Sequence, residues 1–276
     1  PLLFVLSGLT QYVGAAVAVR LFGTLPPTTI AWLRIAIAAV ILLGWARPWR
    51  ARLRGRRLAT AALFGVVLAG MNVSFYIAIA HLPLGTAVAV EFLGPVSVAA
   101  VTGRGWRDRA SIGVALVGVV LLAGVSLGMG PGARVGLLAI LAAAVLWAGY
   151  IVLGRRVAGQ SGGLAGLAVG MATGGVVFAP FLAGRAAPVL GDWRLALAVV
   201  AVAVCSSVIP YGIEQVVLRR VRAATFAVQL ARLPVCSEVV GVMVLRQLPN
   251  AAEVVGMLLV CGAIALTGRP DEAPPG

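Results

Sequence analysis

The chain has 276 residues, 61% of them hydrophobic and 11% charged, and its mean hydropathy is +1.06. Soluble globular domains carry about 25% charged residues, so that class is excluded and a polytopic membrane protein is indicated. The net charge of +14 comes from 22 basic residues, all arginine. Most occupy short gaps between apolar runs, which is the pattern of membrane topology rather than of a nucleic-acid-binding face.

A membrane-spanning helix needs roughly 20 mostly apolar residues, somewhat fewer when helices are packed and tilted. That criterion predicts ten helices, over residues 2–21, 28–45, 58–79, 84–102, 111–128, 135–154, 163–183, 195–217, 223–245 and 251–267. The expected fold is therefore all-α, with short connections rich in Arg, Gly and Pro and no room for a soluble domain. No signal peptide is recognisable, because the first apolar run lacks a basic segment before it and many similar runs follow. The chain opens on proline instead of methionine, so a few residues are expected to precede it.

Arginine placement sets the orientation. With the N-terminus inside, the cytoplasmic segments hold fifteen arginines: Arg47 through Arg57, Arg104 to Arg109, Arg155, Arg156, Arg219 to Arg222, and Arg269. The outer connections hold five: Arg20, Arg134, Arg185, Arg194 and Arg246. Positive residues accumulate on the cytoplasmic side, so both termini are expected in the cytoplasm. Arg34 and Arg232 remain, and both fall inside predicted helices.

The two halves of the chain also correspond. Thr86 and Pro95 in the fourth helix are nine residues apart, as are Thr225 and Pro234 in the ninth. Gly118 and Gly124 of the fifth helix align in the same way with Gly256 and Gly262 of the tenth. Five helices per half is an odd number, so the halves would lie in opposite orientations. This predicts two inverted repeats, residues 1–128 and 135–268, followed by a short cytoplasmic tail at 269–276. Inverted repeats of this kind place substrate sites near the membrane midplane, at the repeat interface.

Polar residues inside the helices fall on faces. Glu91 stands in the middle of the fourth helix, one turn before Pro95. A carboxylate at membrane depth costs some ~2.5–3.5 kcal/mol on insertion scales and marks a functional site by default. Proline within a span frees a backbone carbonyl, which is tolerated where protein or a watery cavity satisfies it. Pro95, Pro210 and Pro234 are the expected helix breaks. Thr225, Gln229, Arg232 and Cys236 form one stripe of the ninth helix; Asn72 and Tyr76 share a face of the third. Ser207, Tyr211 and Glu214 share a face of the eighth, and Gln11 sits midway along the first. Isolated residues of this type also serve as packing contacts between helices; the stripe with Arg232 reads as a cavity lining.

Glu91 and Arg232 occupy equivalent places in the two halves, and charges at this depth need a partner. They are expected to approach each other, either as a permanent ion pair or as a pair that breaks during transport. Arg34 lies where an arginine could snorkel to the outer interface and is read as structural, and Glu238 and Glu253 are read as interfacial. Gly162, Gly166, Gly170 and Gly174 recur every four residues and favour close helix packing within the chain. His81 falls at a helix end. Cys205, Cys236 and Cys261 lie in apolar runs without metal-ligand spacing. No phosphate-binding loop follows from the glycines at 128–132, and no metal, cofactor or obligate protein partner is expected.

Two segments carry a resemblance: Asn72-x-x-Phe75-Tyr76-x-Ala78-Ile79, and Leu82 through Glu91-Phe92-x-Gly94-Pro95. Both resemble the bacterial threonine/homoserine exporter family, a branch of the EamA-type drug/metabolite transporters. The likeness extends to Gln11-x-x-Gly14-Ala15-Ala16, Leu33-Arg34, Trp147-Ala148-x-Tyr150-Ile151, Ile209-Pro210-Tyr211-x-x-Glu214 and Thr225-Phe226. It implies a carrier in the bacterial cytoplasmic membrane whose cavity is lined by helices one, three, four, six, eight and nine, which adds Trp147 to the candidate site. Members usually carry a glutamate directly before the ninth-helix proline; here Leu233 stands there, preceded by Arg232.

The function expected is therefore export of amino acids or related small polar metabolites by alternating access. The alternatives are a multidrug or lipophilic-metabolite exporter of the same superfamily, or a membrane-embedded enzyme, which would need a base or metal cluster. The energy source stays open between the proton gradient, with Glu91 and then Glu214 as the carboxylates to test, and facilitation.

Overall fold

A computed structural model of the chain describes residues 2–50, 53–103, 105–128, 130–159, 163–211, 213 and 233–267. Among these residues the secondary structure is helical, without strands. The helices are α1 (Leu2–Arg20), α2 (Pro27–Ala46), α3 (Arg56–Ile79), α4 (Leu84–Glu91), α5 (Leu93–Thr102), α6 (Trp106–Leu127), α7 (Gly132–Ala158) and α8 (Gly163–Leu182). They continue with a short α9 (Ala187–Gly191), then α10 (Trp193–Ala203), α11 (Leu233–Val240) and α12 (Ala251–Thr267). Seven helical stretches among the described residues are long and apolar enough to cross a membrane, and two shorter apolar ones join them.

Helix limits follow local chemistry. Proline at the first helical position costs nothing, because its missing N–H would be unpaired there, and Pro27 opens α2 in this way. The fifth predicted helix begins earlier than expected, at Trp106, because Asp108 accepts from the Gly105 N–H at 3.3 Å and caps the first turn. The sixth runs on through Arg155 and Arg156 to Ala158. Hydropathy marks the part that meets lipid, whereas helical hydrogen bonding continues into the charged ends.

The fourth predicted helix is two helices. α4 stops at Glu91, Phe92 forms the joint with φ −63° and ψ −10°, and α5 follows. Pro95 lies in the first turn of α5, where a proline fits, and its missing N–H leaves the Glu91 carbonyl without its helical partner. Further on, residues Val204–Val208 form a wide π-turn just before Pro210. Pro210 would otherwise bond Ser206, and such wide turns are a recognised accommodation in a helix. A second π-turn, Gly241–Leu245, ends α11, and Arg246 closes it in the left-handed conformation at φ 58°.

α4 and α5 lie innermost. Their span is 72% buried, against 22% for α7, and the core around them gathers Tyr76, Leu84, Val88, Phe92 and Ile140. Around this centre α3 packs on α7 and α8, α2 on α8, α6 on α12, and α1 on α11. The α3–α8 crossing is backbone on backbone. A Cβ at Gly65 would collide with the backbone of Gly170, and one at Gly174 with the Gly65 carbonyl. Gly166 faces Val157 instead, so Gly166, Gly170 and Gly174 serve packing within the chain; Gly162 lies outside the described residues. Outward faces carry large exposed apolar residues such as Val101, Val120, Val145 and Val176, which suits lipid contact.

Candidate functional site

The start of α4 is tied to the far part of the chain. The Leu84 N–H donates to Gln247 Oε1 at 3.0 Å, and the Thr86 hydroxyl donates to Glu253 Oε1 at 3.3 Å. Glu253 Oε2 accepts from the Asn250 N–H at 2.9 Å, while the Glu253 N–H donates to Asn250 Oδ1 at 2.9 Å. Glu253, in the first turn of α12, is buried within the protein, 5% exposed, because Thr86 and Asn250 occupy both its oxygens. Arg20 adds a bond from Nη2 to the Val244 carbonyl at 2.7 Å. Held at this end, α4 delivers Glu91 into the middle of the bundle, seven residues or about 10 Å further on.

Glu91 is 8% exposed and lines a buried cavity. The same cavity brings together Gln11, Asn72, Trp147 and Tyr211 from the expected set. Tyr76 lies just behind Asn72, fully buried. Met71, Phe75 and Leu233 supply apolar surface, and Tyr12 and Tyr150 further aromatic rings. Trp147 is fixed edge-on to Phe92, 4.8 Å between ring centres, so the α4–α5 joint is braced by the cavity wall itself. Tyr150 stacks on Phe64 at 5.0 Å and leans toward Tyr211 at 6.2 Å. The Ser206 hydroxyl reaches across to the Gln11 carbonyl at 3.0 Å, joining the π-turn to α1.

Arg34 also lines this cavity, and here the structure corrects the sequence reading. Arg34 does not snorkel: it is 3% exposed. Its Nη1 donates to the Tyr76 hydroxyl at 3.1 Å, and its Nη2 donates to Asn72 Oδ1. Asn72 is itself oriented by Nδ2 donating to the Leu68 carbonyl at 2.8 Å. The Arg34 carbon sits 5.2 Å from the centre of the Tyr76 ring, and the Tyr211 hydroxyl is a third polar neighbour. Among the described residues, Arg34 is the cation whose charge acts on Glu91, yet no direct ion pair joins the two.

A signal for this existed in the sequence. Arg34 lies seven residues into α2, and Asn72 lies seven residues from the end of the antiparallel α3. The two are thus at equal depth, and Asn72 and Tyr76 share the face that meets them. The expected partner of Glu91, Arg232, lies outside the described residues, as do Glu214 and Gln229. Pro234 lies in α11, and Cys236 is buried on the same helix. His81 is exposed, its Nδ1 2.9 Å from the Ile77 carbonyl. Among the described residues, no group of three His, Cys, Asp or Glu could hold a metal.

Comparison with known proteins places the chain. Residues 134–269 match the EamA-like transporter family. The chain is 32% identical over 251 residues to the threonine/homoserine exporter RhtA of Escherichia coli (strain K12), covering 91% of this chain and 83% of that protein. RhtA of Salmonella typhimurium (strain LT2) is likewise 32% identical over 252 residues, 91% of this chain and 84% of that protein. This chain belongs to the EamA-like transporter family. Within it, the chain falls in the branch of the threonine/homoserine exporters. A solved crystal structure superposes with a TM-score of 0.64 over 96% of this EamA-like chain and 94% of its own, at 22% identity, and shares the fold.

Proposed function

We propose that this EamA-like protein exports amino acids, or closely related small polar metabolites, across the cytoplasmic membrane by alternating access. The observation that carries the reading is Glu91, a buried carboxylate without a hydrogen bond among the described residues, facing a cavity that also holds Arg34 and the amides of Gln11 and Asn72 among aromatic and apolar side chains. Two buried charges in one cavity suit a polar solute better than a lipophilic one. Membership of a transporter family favours a carrier over a membrane enzyme. The threonine/homoserine specificity of the relatives makes those two amino acids the first to test. Where export draws on the proton gradient, Glu91 is the group placed to carry the proton.

The architecture belongs to the same proposal: ten helices in two inverted five-helix repeats, 1–128 and 135–268, with both termini and the 269–276 tail in the cytoplasm. Support comes from three of the packing contacts, which recur when each helix is exchanged for its counterpart five places on. The α3–α8 contact has its counterpart in α2 against α10 and the π-turn, and α4–α7 in α1–α11. The α6–α12 contact is its own counterpart: a Cβ at Gly118 would lie 2.7 Å from the Gly256 carbonyl, and one at Gly256 3.0 Å from the Gly118 carbonyl. A reciprocal contact of this kind is what a two-fold relation produces. The family match at 134–269 also coincides with the second proposed repeat.

The test is amino-acid release from a bacterium lacking its own threonine and homoserine exporters. Expression of the wild-type chain is expected to raise threonine or homoserine in the medium and tolerance to both, and Glu91→Gln to abolish the gain. No release of either by the wild type contradicts the reading.

A further inference from the structure

We infer that Arg34 is the anchor for the carboxylate of the transported solute, with Glu91 taking its ammonium group, so that the cavity selects α-amino-acid zwitterions over amines, amides and esters. The inference rests on the exporter reading and assigns the charges that reading leaves open. Its ground is geometric. A guanidinium offers five N–H donors in a planar fork, which matches a carboxylate two bonds at a time. In this structure the Arg34 bonds go to the neutral oxygens of Tyr76 and Asn72. The Nε–H is fully buried and has no partner among the described residues.

A buried, unsatisfied donor on a charged group is costly. It persists where a ligand supplies the missing acceptor. The Nε–H and an adjacent Nη–H form one edge of the fork, the edge used in side-on carboxylate binding.

The rest of the cavity fits a zwitterion. Both charges line one enclosure without bonding each other, so each retains capacity for a solute group of opposite sign. Asn72 and Tyr76 hold the guanidinium without neutralising it, since both offer uncharged oxygens. Met71 and Phe75, on the same helix as Asn72, leave apolar surface for a short side chain. A solute lacking the carboxylate would leave Arg34 buried and unmatched, and sites built around a charged hydrogen bond reject analogues that lack it most strongly.

The experiment uses purified protein in vesicles loaded with labelled L-threonine, with L-threoninamide as competitor; the amide keeps the ammonium and side chain but has no carboxylate. Wild-type efflux is expected to be inhibited at least tenfold more weakly by the amide than by unlabelled threonine. In Arg34→Gln, threonine efflux is expected to fall at least tenfold and the difference between the two competitors to vanish. Arg34→Lys, which keeps the charge but not the fork, should retain the preference for threonine with a raised half-saturation concentration.

Equal inhibition of the wild type by amide and amino acid overturns the assignment, whatever the folding of the variants. So does a wild-type preference that survives in Arg34→Gln. A wild type that moves neither threonine nor homoserine contradicts instead the exporter reading on which the inference stands.

Discussion

Replacing Asn72 by aspartate places a carboxylate against Arg34 at almost no change in size. Asn72 is 3% exposed and accepts from Arg34 through Oδ1, while Nδ2 donates to the Leu68 carbonyl at 2.8 Å. The substitution loses the Leu68 bond, worth about 1 kcal/mol, and turns the Arg34 contact, already charge-assisted through the guanidinium, into an ion pair that strengthens it by a similar amount. The two changes oppose each other, so Asn72→Asp should leave the thermal midpoint in detergent near that of the wild type. Transport should respond differently, because the introduced carboxylate neutralises the guanidinium that the solute carboxylate would meet at the Nε–H edge. A loss of about 2 kcal/mol of that attraction, at 1.4 kcal/mol per factor of ten, raises the half-saturation concentration roughly 30-fold. Vesicle efflux of threonine, separated into half-saturation and maximal rate, measures this. A well-folded Asn72→Asp protein with wild-type half-saturation would refute the reasoning.

Other consequences are open to direct measurement. Gly65→Ala sets a methyl group against the Gly170 backbone, and overpacking of this kind costs about 1–3 kcal/mol. Its thermal midpoint should drop, whereas Gly113→Ala, which meets nothing within 4 Å, should keep or raise it. Pro95→Ala restores an N–H to the Glu91 carbonyl and should stabilise the α4–α5 region, yet slow transport if the joint at Phe92 moves during the cycle; a variant both stable and fully active contradicts a role for the break. For topology, Cys205, Cys236 and Cys261 are first replaced by alanine. A cysteine in place of Arg194 should then react with an impermeant thiol reagent in intact cells, and one in place of Arg57 should react after the cells are opened. The reverse pattern contradicts the proposed orientation.

Much of this was readable from the residues because membrane helices must satisfy every backbone group internally. That requirement forces long apolar runs, and the limits of α2 and α3 fall close to where the runs end. The glycines of α8 were legible for a similar reason, since close crossings exclude side chains. Glu91 stood out because a carboxylate is expensive in such surroundings.

Arg34 was misread because a long side chain near a helix end can usually reach water. What decided its place was the opposing face of α3, a three-dimensional fact that the depth of Asn72 encodes indirectly. The joint at Phe92 was displaced from Pro95 for a local reason: proline fits the first turn of a helix, and its missing N–H acts on the carbonyl four residues back. The pairing of Glu253 with Thr86 left no trace in the sequence, because the two are 167 residues apart in the chain.

The most direct test of the account is a crystal structure of the protein with L-threonine bound. The account places the threonine carboxylate within hydrogen-bond distance of the Arg34 Nε–H edge and its ammonium group against Glu91, inside the cavity walled by Trp147 and Tyr211. Threonine bound away from both charges, or with its carboxylate turned from Arg34, would contradict it.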